Sequence, residues 1–74
     1  MIIARESIKL YIKAQPNITK FAENIGVTTM TLYNIIDGNN VSADSIAKLL
    51  QVSGFVFEKA FEMRDEHEDK VKPA

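Results

Sequence analysis

The sequence predicts an all-α fold, five short helices around one compact core followed by a charged C-terminal tail. Three observations lead there. Apolar residues recur at helical spacing in five successive segments, and no stretch alternates as a strand would. Pro16, Gly26, Gly38 and Gly54 separate the segments, each a residue that ends helices. The chain has 74 residues, 46% of them apolar, which suits a single globular domain with one small core.

In the first segment Ala4, Ile8, Tyr11 and Ile12 form an apolar stripe, broadened by Ile3 and Leu10, and Pro16 ends it. Asn17 is placed to cap a second helix, in which Ile18, Phe21, Ala22 and Ile25 follow the i, i+3, i+4, i+7 pattern. Gly26 stands where a left-handed residue closes a helix. Thr28 caps the third helix, whose Leu32, Ile35 and Ile36 share one side. Met30, Tyr33, Asn34 and Asp37 share another side, and Gly38 ends the helix.

After the turn "NNV", Ser42 caps a fourth helix with Ala43, Ile46, Ala47 and Leu50 on one face and Leu49 beside it. Beyond Gly54 a fifth helix carries the stripe Phe57, Ala60 and Phe61. Residues 1–63 form the expected domain, and residues 64–74 a charged, mobile tail.

Composition narrows the function. With no cysteine there is neither a disulfide framework nor a thiolate metal site, which fits the cytoplasm. The N-terminus lacks the apolar core of a signal peptide, and no run is long enough to span a membrane. A single His, no assembled Ser-His-acid set and no phosphate loop argue against an enzyme, and no cofactor is expected. His67 lies in "DEHED", where one imidazole among flexible carboxylates lacks the preset geometry of a metal site. Net charge is −1, unevenly spread: residues 1–61 hold six cations against five anions, and residues 62–74 three against five. The body is therefore a weak attractor of phosphate.

The informative spacing is Ala22-x-x-x-Gly26, followed at once by a capped helix and then Gly38. Two helices crossing steeply at a tight glycine turn need a small residue at the crossing, here Ala22, and left-handed freedom at Gly26. Val27 plugs the angle between them, and Ile25 and Leu32 enter the shared core. On these residues "FAENIGVTTMTLYNIIDG" is similar to the core motif of the lambda-repressor/Cro-type (XRE-like) helix-turn-helix family of small bacterial and phage regulators. "VSADSIAKLLQVSGFVFEKAF" resembles that family's last two helices, so the resemblance covers all but the tail.

The resemblance implies a repressor-like transcription regulator binding double-stranded DNA as a homodimer, with the third helix in the major groove. Base contacts then fall on Thr29, Met30, Tyr33 and Asn34. Phosphate contacts fall on Asn17, Ile18, Lys20, Thr28, Asn39, Asn40 and Ser42. The chain departs from the family in three ways. Ile18 stands where a phosphate-anchoring Gln is common, and Ile36 where an acidic residue often pairs with an arginine of the first helix. The third helix carries no Lys or Arg. Phosphate affinity must then come from helix ends, scattered lysines and dimer symmetry.

Each assignment has a plainer counterpart. Met30 and Tyr33 together on a surface helix point to a partner, Asn34 equally to a base or to solvent, and Thr28 to a cap before a phosphate contact. Lys9, Lys13 and Lys20 read as solvated surface before a phosphate-facing rim. Phe55, Phe57 and Phe61 suit either a fifth helix packed on the first or a dimer face. The alternative function is a protein-interaction module, an antirepressor or inhibitor, using the same uncharged surface.

Overall fold

The computed structural model describes residues 1–64, so the tail from residue 65 on, with His67, lies outside the described residues. In chain order the elements are β1 (Ile2–Ala4), α1 (Glu6–Lys13), α2 (Ile18–Ile25), α3 (Thr29–Ile36), α4 (Ala43–Ser53), α5 (Phe57–Ala60) and β2 (Phe61–Met63). The described chain is mostly helical, with five helices at the expected places. The all-α expectation is corrected by one small sheet, in which β1 and β2 pair antiparallel.

The sheet joins the two ends of the described chain. Its register sets Ile2 opposite Met63, Ile3 opposite Glu62 and Ala4 opposite Phe61. Met1 and Arg64 exchange backbone hydrogen bonds of 2.8 and 2.7 Å just beyond it. Because bonded and non-bonded pairs alternate along an antiparallel ladder, the peptide groups of Ile2 face away from β2. There Val41 N donates to Ile2 O at 2.8 Å, and Ile2 N donates to Asn40 Oδ1 at 2.9 Å. The turn after α3 is thereby strapped to the outer edge of β1.

Helix α5 is a single turn, shorter than its apolar stripe suggests, and its end explains why. The last four carbonyls of a helix need partners from outside the regular ladder. Phe61 N donates to Phe57 O, Arg5 Nε to Glu58 O at 2.9 Å, Ser7 Oγ to Lys59 O, and Arg5 N to Ala60 O at 2.7 Å. Arg5 Nε also reaches Phe61 O at 3.1 Å. Residues flanking the start of α1 thus cap α5, and the chain turns extended at Phe61 (φ −136°, ψ 163°).

The core gathers Ile8 and Ile12 from α1, Phe21 and Ala22 from α2, and Leu32 and Ile35 from α3. Ile46 and Leu49 of α4 join them, with Val41, Ala4, Ala60 and Phe61. Two expected stripes shift. Leu10 is exposed, since two residues turn a helix by about 200° away from Ile8 and Ile12. In α4 the inward edge runs through Ser45, Ile46 and Leu49, leaving Ala43 and Ala47 at the surface. Ser45 is tolerated inside because Ser42 Oγ donates to its hydroxyl at 3.1 Å.

The phenylalanine cluster is built into the monomer. Phe61 is fully buried and stacks on Phe57 with ring centroids 5.9 Å apart. Phe55 meets Tyr11 edge-on at 5.8 Å, and Tyr11 in turn meets Phe21 at 6.0 Å. Phe61 offers no surface to a second copy, which corrects its assignment to a dimer face. Phe55 and Phe57 are half-buried against the same core.

The Arg5–Glu62 ion pair is long, 3.6 Å, and largely exposed, so the stabilising role of Arg5 lies in its carbonyl contacts. Arg5→Ala, which removes the Nε contacts to Glu58 O and Phe61 O but keeps the backbone bond to Ala60 O, is expected to cost about 0.5–1.5 kcal/mol. Glu62→Gln is expected to cost only about 0–1 kcal/mol. Urea unfolding of the two variants checks the difference.

Candidate nucleic-acid interface

The turn between α2 and α3 is built as its residues require. Gly26 adopts φ 85°, its N–H donates to Glu23 O at 3.2 Å, and Val27 N donates to Ala22 O at 2.9 Å. This is the Schellman closure of a helix on a left-handed glycine. Lys48 Nζ, reaching across from α4, donates to Gly26 O at 2.9 Å and pairs with Asp44 at 2.9 Å. The turn is therefore fixed at both of its faces, and Ala22 beneath it is buried.

Thr28 starts α3. Its Oγ1 accepts from Thr31 N at 3.1 Å and lies 2.9 Å from Thr31 Oγ1. Leu32 and Ile35 are 0% and 2% exposed, which fixes the rotation of the helix about its axis. The opposite face follows from that rotation. Met30 is 68% exposed and Tyr33 49%, Asn34 is exposed, and Thr29 is half-buried beside them. Thr29 to Asn34 spans about 8 Å of axis, so these four side chains form one patch.

The end of α3 is closed in the same manner. Gly38 takes φ 90°, its N–H donates to Ile35 O at 3.2 Å, and Asn39 N donates to Asn34 O at 3.0 Å. Asn39 Nδ2 lies 3.4 Å from Asn34 Oδ1, a weak bond that leans the Asn34 amide toward the turn. Asp37, exposed at the C-cap, puts a carboxylate at the far end of the patch.

The residues assigned to phosphate divide by what their side chains already do. Asn17 Oδ1 accepts from Lys20 N at 3.0 Å, which leaves its Nδ2 as a donor. Asn40 Oδ1 is held by Ile2 N, and the Ser42 hydroxyl is turned to Ser45. Ile18 is half-buried against the core and offers its backbone amide alone. First-turn amides of a helix lack intrahelical acceptors; Asn17 satisfies those of Lys20 and Phe21, and those of Ile18 and Thr19 point along the axis. An open depression lined by Gln15, Pro16, Asn17, Lys20, Phe21 and Asn24 adjoins this helix start.

Among the described cations Arg5 serves the α5 cap, Lys48 the turn, and Arg64 pairs with Glu62 at 3.2 Å. Lys20 is the cation that sits at the start of α2. No group of three or more potential metal-ligating residues occurs among the described residues. No helix there is long and apolar enough to cross a membrane. Sequence reasoning missed Lys48 and Thr31 as the residues that secure the turn and the cap. The partner of Lys48, Gly26 O, is 22 positions away, beyond the reach of any local pattern.

No family model, no curated protein and no solved structure matches this chain.

Because Met30 and Tyr33 project away from the core, Met30→Ala and Tyr33→Ala are each expected to change stability by less than about 0.5 kcal/mol. Thr28→Ala, which removes the cap, is expected to cost about 0.5–2 kcal/mol. Thermal melts followed by circular dichroism separate the two cases.

Proposed function

We propose that the chain is a sequence-specific DNA-binding regulator of the lambda-repressor-like helix-turn-helix kind, with α2, its turn and α3 as the reading unit. The observation that supports this best is the seating of α3. Its inner face is locked by Leu32 and Ile35 and its start by Thr28, while Met30, Tyr33 and Asn34 stand outward as one patch. A major groove about 12 Å wide admits a helix presented this way. The buried Ala22 and the left-handed Gly26 add support, since a steep crossing of two helices needs both.

In this reading Thr29, Met30, Tyr33 and Asn34 meet base edges, and Thr28 holds a phosphate beside its cap. Asn17 Nδ2, the backbone amides of Ile18, Asn40 and Ser42, the side-chain amide of Asn39, and Lys20 hold others, because helix starts bind anions without charged side chains. Two copies on half-sites about 34 Å apart double this modest grip. With Phe61 buried, any share the phenylalanine cluster takes in the dimer face falls on the half-buried Phe55 and Phe57.

A second reading, a protein-docking module, draws on one observation: the α3 patch carries Met30 and Tyr33 and no cation. Retention on a random duplex pool separates the two. The DNA reading expects binding at low salt, with a log–log salt slope of only about −1 to −2 per copy because Lys20 is the sole cation in the contact set. Removing the carboxylate with Asp37→Asn is expected to tighten binding about two- to fivefold, since it faces phosphate across partly screened solvent. No retention at low salt, together with a co-purifying protein lost in the Met30→Ala, Tyr33→Ala double variant, would favour the docking module.

A further inference from the structure

We infer that the patch at the start of α3 selects A·T base pairs, reading thymine by its C5-methyl group through Met30 and adenine through Asn34, with guanine left unread. The inference rests on the DNA-binding reading above and goes on to name the bases.

Each base pair shows a distinct edge in the major groove, and each edge needs a particular chemistry opposite it. Guanine offers two acceptors, N7 and O6, best met by the paired donors of Arg or Lys. Thr29–Ile36 contains neither. Cytosine offers an N4 donor that calls for a strong acceptor. The nearest carboxylate, Asp37, is at the C-cap of α3, about 4.5 Å of axis beyond Asn34 and past the last base-reading position. Thymine offers a methyl group, which needs an apolar surface. Met30 is the most exposed large apolar side chain on α3, and its unbranched thioether adapts to the contour of a methyl.

Adenine offers an acceptor at N7 and a donor at N6, matched by the donor and acceptor of one carboxamide. Asn34 is that carboxamide. Asn39 Nδ2 approaches Asn34 Oδ1 at 3.4 Å, and Asn39 is itself anchored by its N–H to Asn34 O at 3.0 Å. This weak contact engages one lone pair of Oδ1. The second lone pair stays available for N6–H, and Nδ2 for N7. Met30 and Asn34 are i, i+4 neighbours about 6 Å apart, so their targets fall one or two base pairs from each other. Tyr33 between them has one hydroxyl that both donates and accepts, and it does not discriminate alone.

The test uses the full chain. Duplexes are first selected from a random pool at low salt, and the best site is then rebuilt with deoxyuridine at each thymine, which removes the methyl and nothing else. The expected site is A·T at the contacted positions, and deoxyuridine at the Met30 position weakens binding about three- to tenfold, the value of one buried methyl. Met30→Ala is expected to bind the thymine and deoxyuridine duplexes equally. Asn34→Ala is expected to lose its adenine preference while keeping the deoxyuridine penalty. Guanine fixed at the contacted positions would overturn the inference but leave the DNA reading standing. So would an A·T site bound equally with and without its methyl groups, which is the signature of readout by groove shape. If no duplex is retained, the DNA reading itself falls.

Discussion

Arg5 holds the two ends of the described chain in one place. Its backbone N–H and guanidinium, with the neighbouring Ser7 hydroxyl, take three of the last four carbonyls of α5, and the strands on either side then pair as β1 and β2. A chain of this size buries a modest core, and polar groups stranded at a helix end would offset much of its gain. With those carbonyls satisfied, Ala60 and Phe61 can be fully buried, and Phe61 carries the stack with Phe57. The clasp thus sits directly beside the buried Ala60 and Phe61 and ties that edge of the core to the start of α1.

The same clasp reaches the surface of α3. Ile2, on the β1 side facing away from β2, binds Asn40 and Val41, the residues that follow the α3 turn. At its other end α3 is set by the Gly26 turn, which Lys48 ties to α4. Fixed at both ends and buried along Leu32 and Ile35, the helix has one orientation in which to present Met30, Tyr33 and Asn34. Its outward residues are therefore free to be chosen for a partner, because folding makes no demand on them.

Much of this was legible in the sequence, and the exceptions share a cause. The caps Asn17, Thr28 and Ser42 and the left-handed closures at Gly26 and Gly54 are local chemistry, and each stands where its residue type pointed. The strands were not legible. Ala4 lies at helical spacing from Ile8 with Ile3 beside it, and only pairing with residues some 60 positions on, Ile3 with Glu62 and Ala4 with Phe61, draws them into a sheet. Phe61 likewise lies at helical spacing from Phe57, and its pairing with Ala4 draws it into β2. The candidate base-reading patch was visible because the inward face of α3 is unambiguous. By contrast, the prior engagement of Asn40 with Ile2 depends on a contact 38 residues apart.

In the proposed DNA-binding reading, the start of α3 and the amides around it face the duplex. Amide shifts of the isotope-labelled chain, followed by NMR during titration with a selected duplex, test it most directly. Changes are expected to concentrate in Asn17–Lys20, Thr28–Asn34 and Asn39–Ser42, with the exposed Leu10, Val52 and Val56 unmoved. Changes centred on those three residues, with Met30, Tyr33 and Asn34 silent, would contradict it.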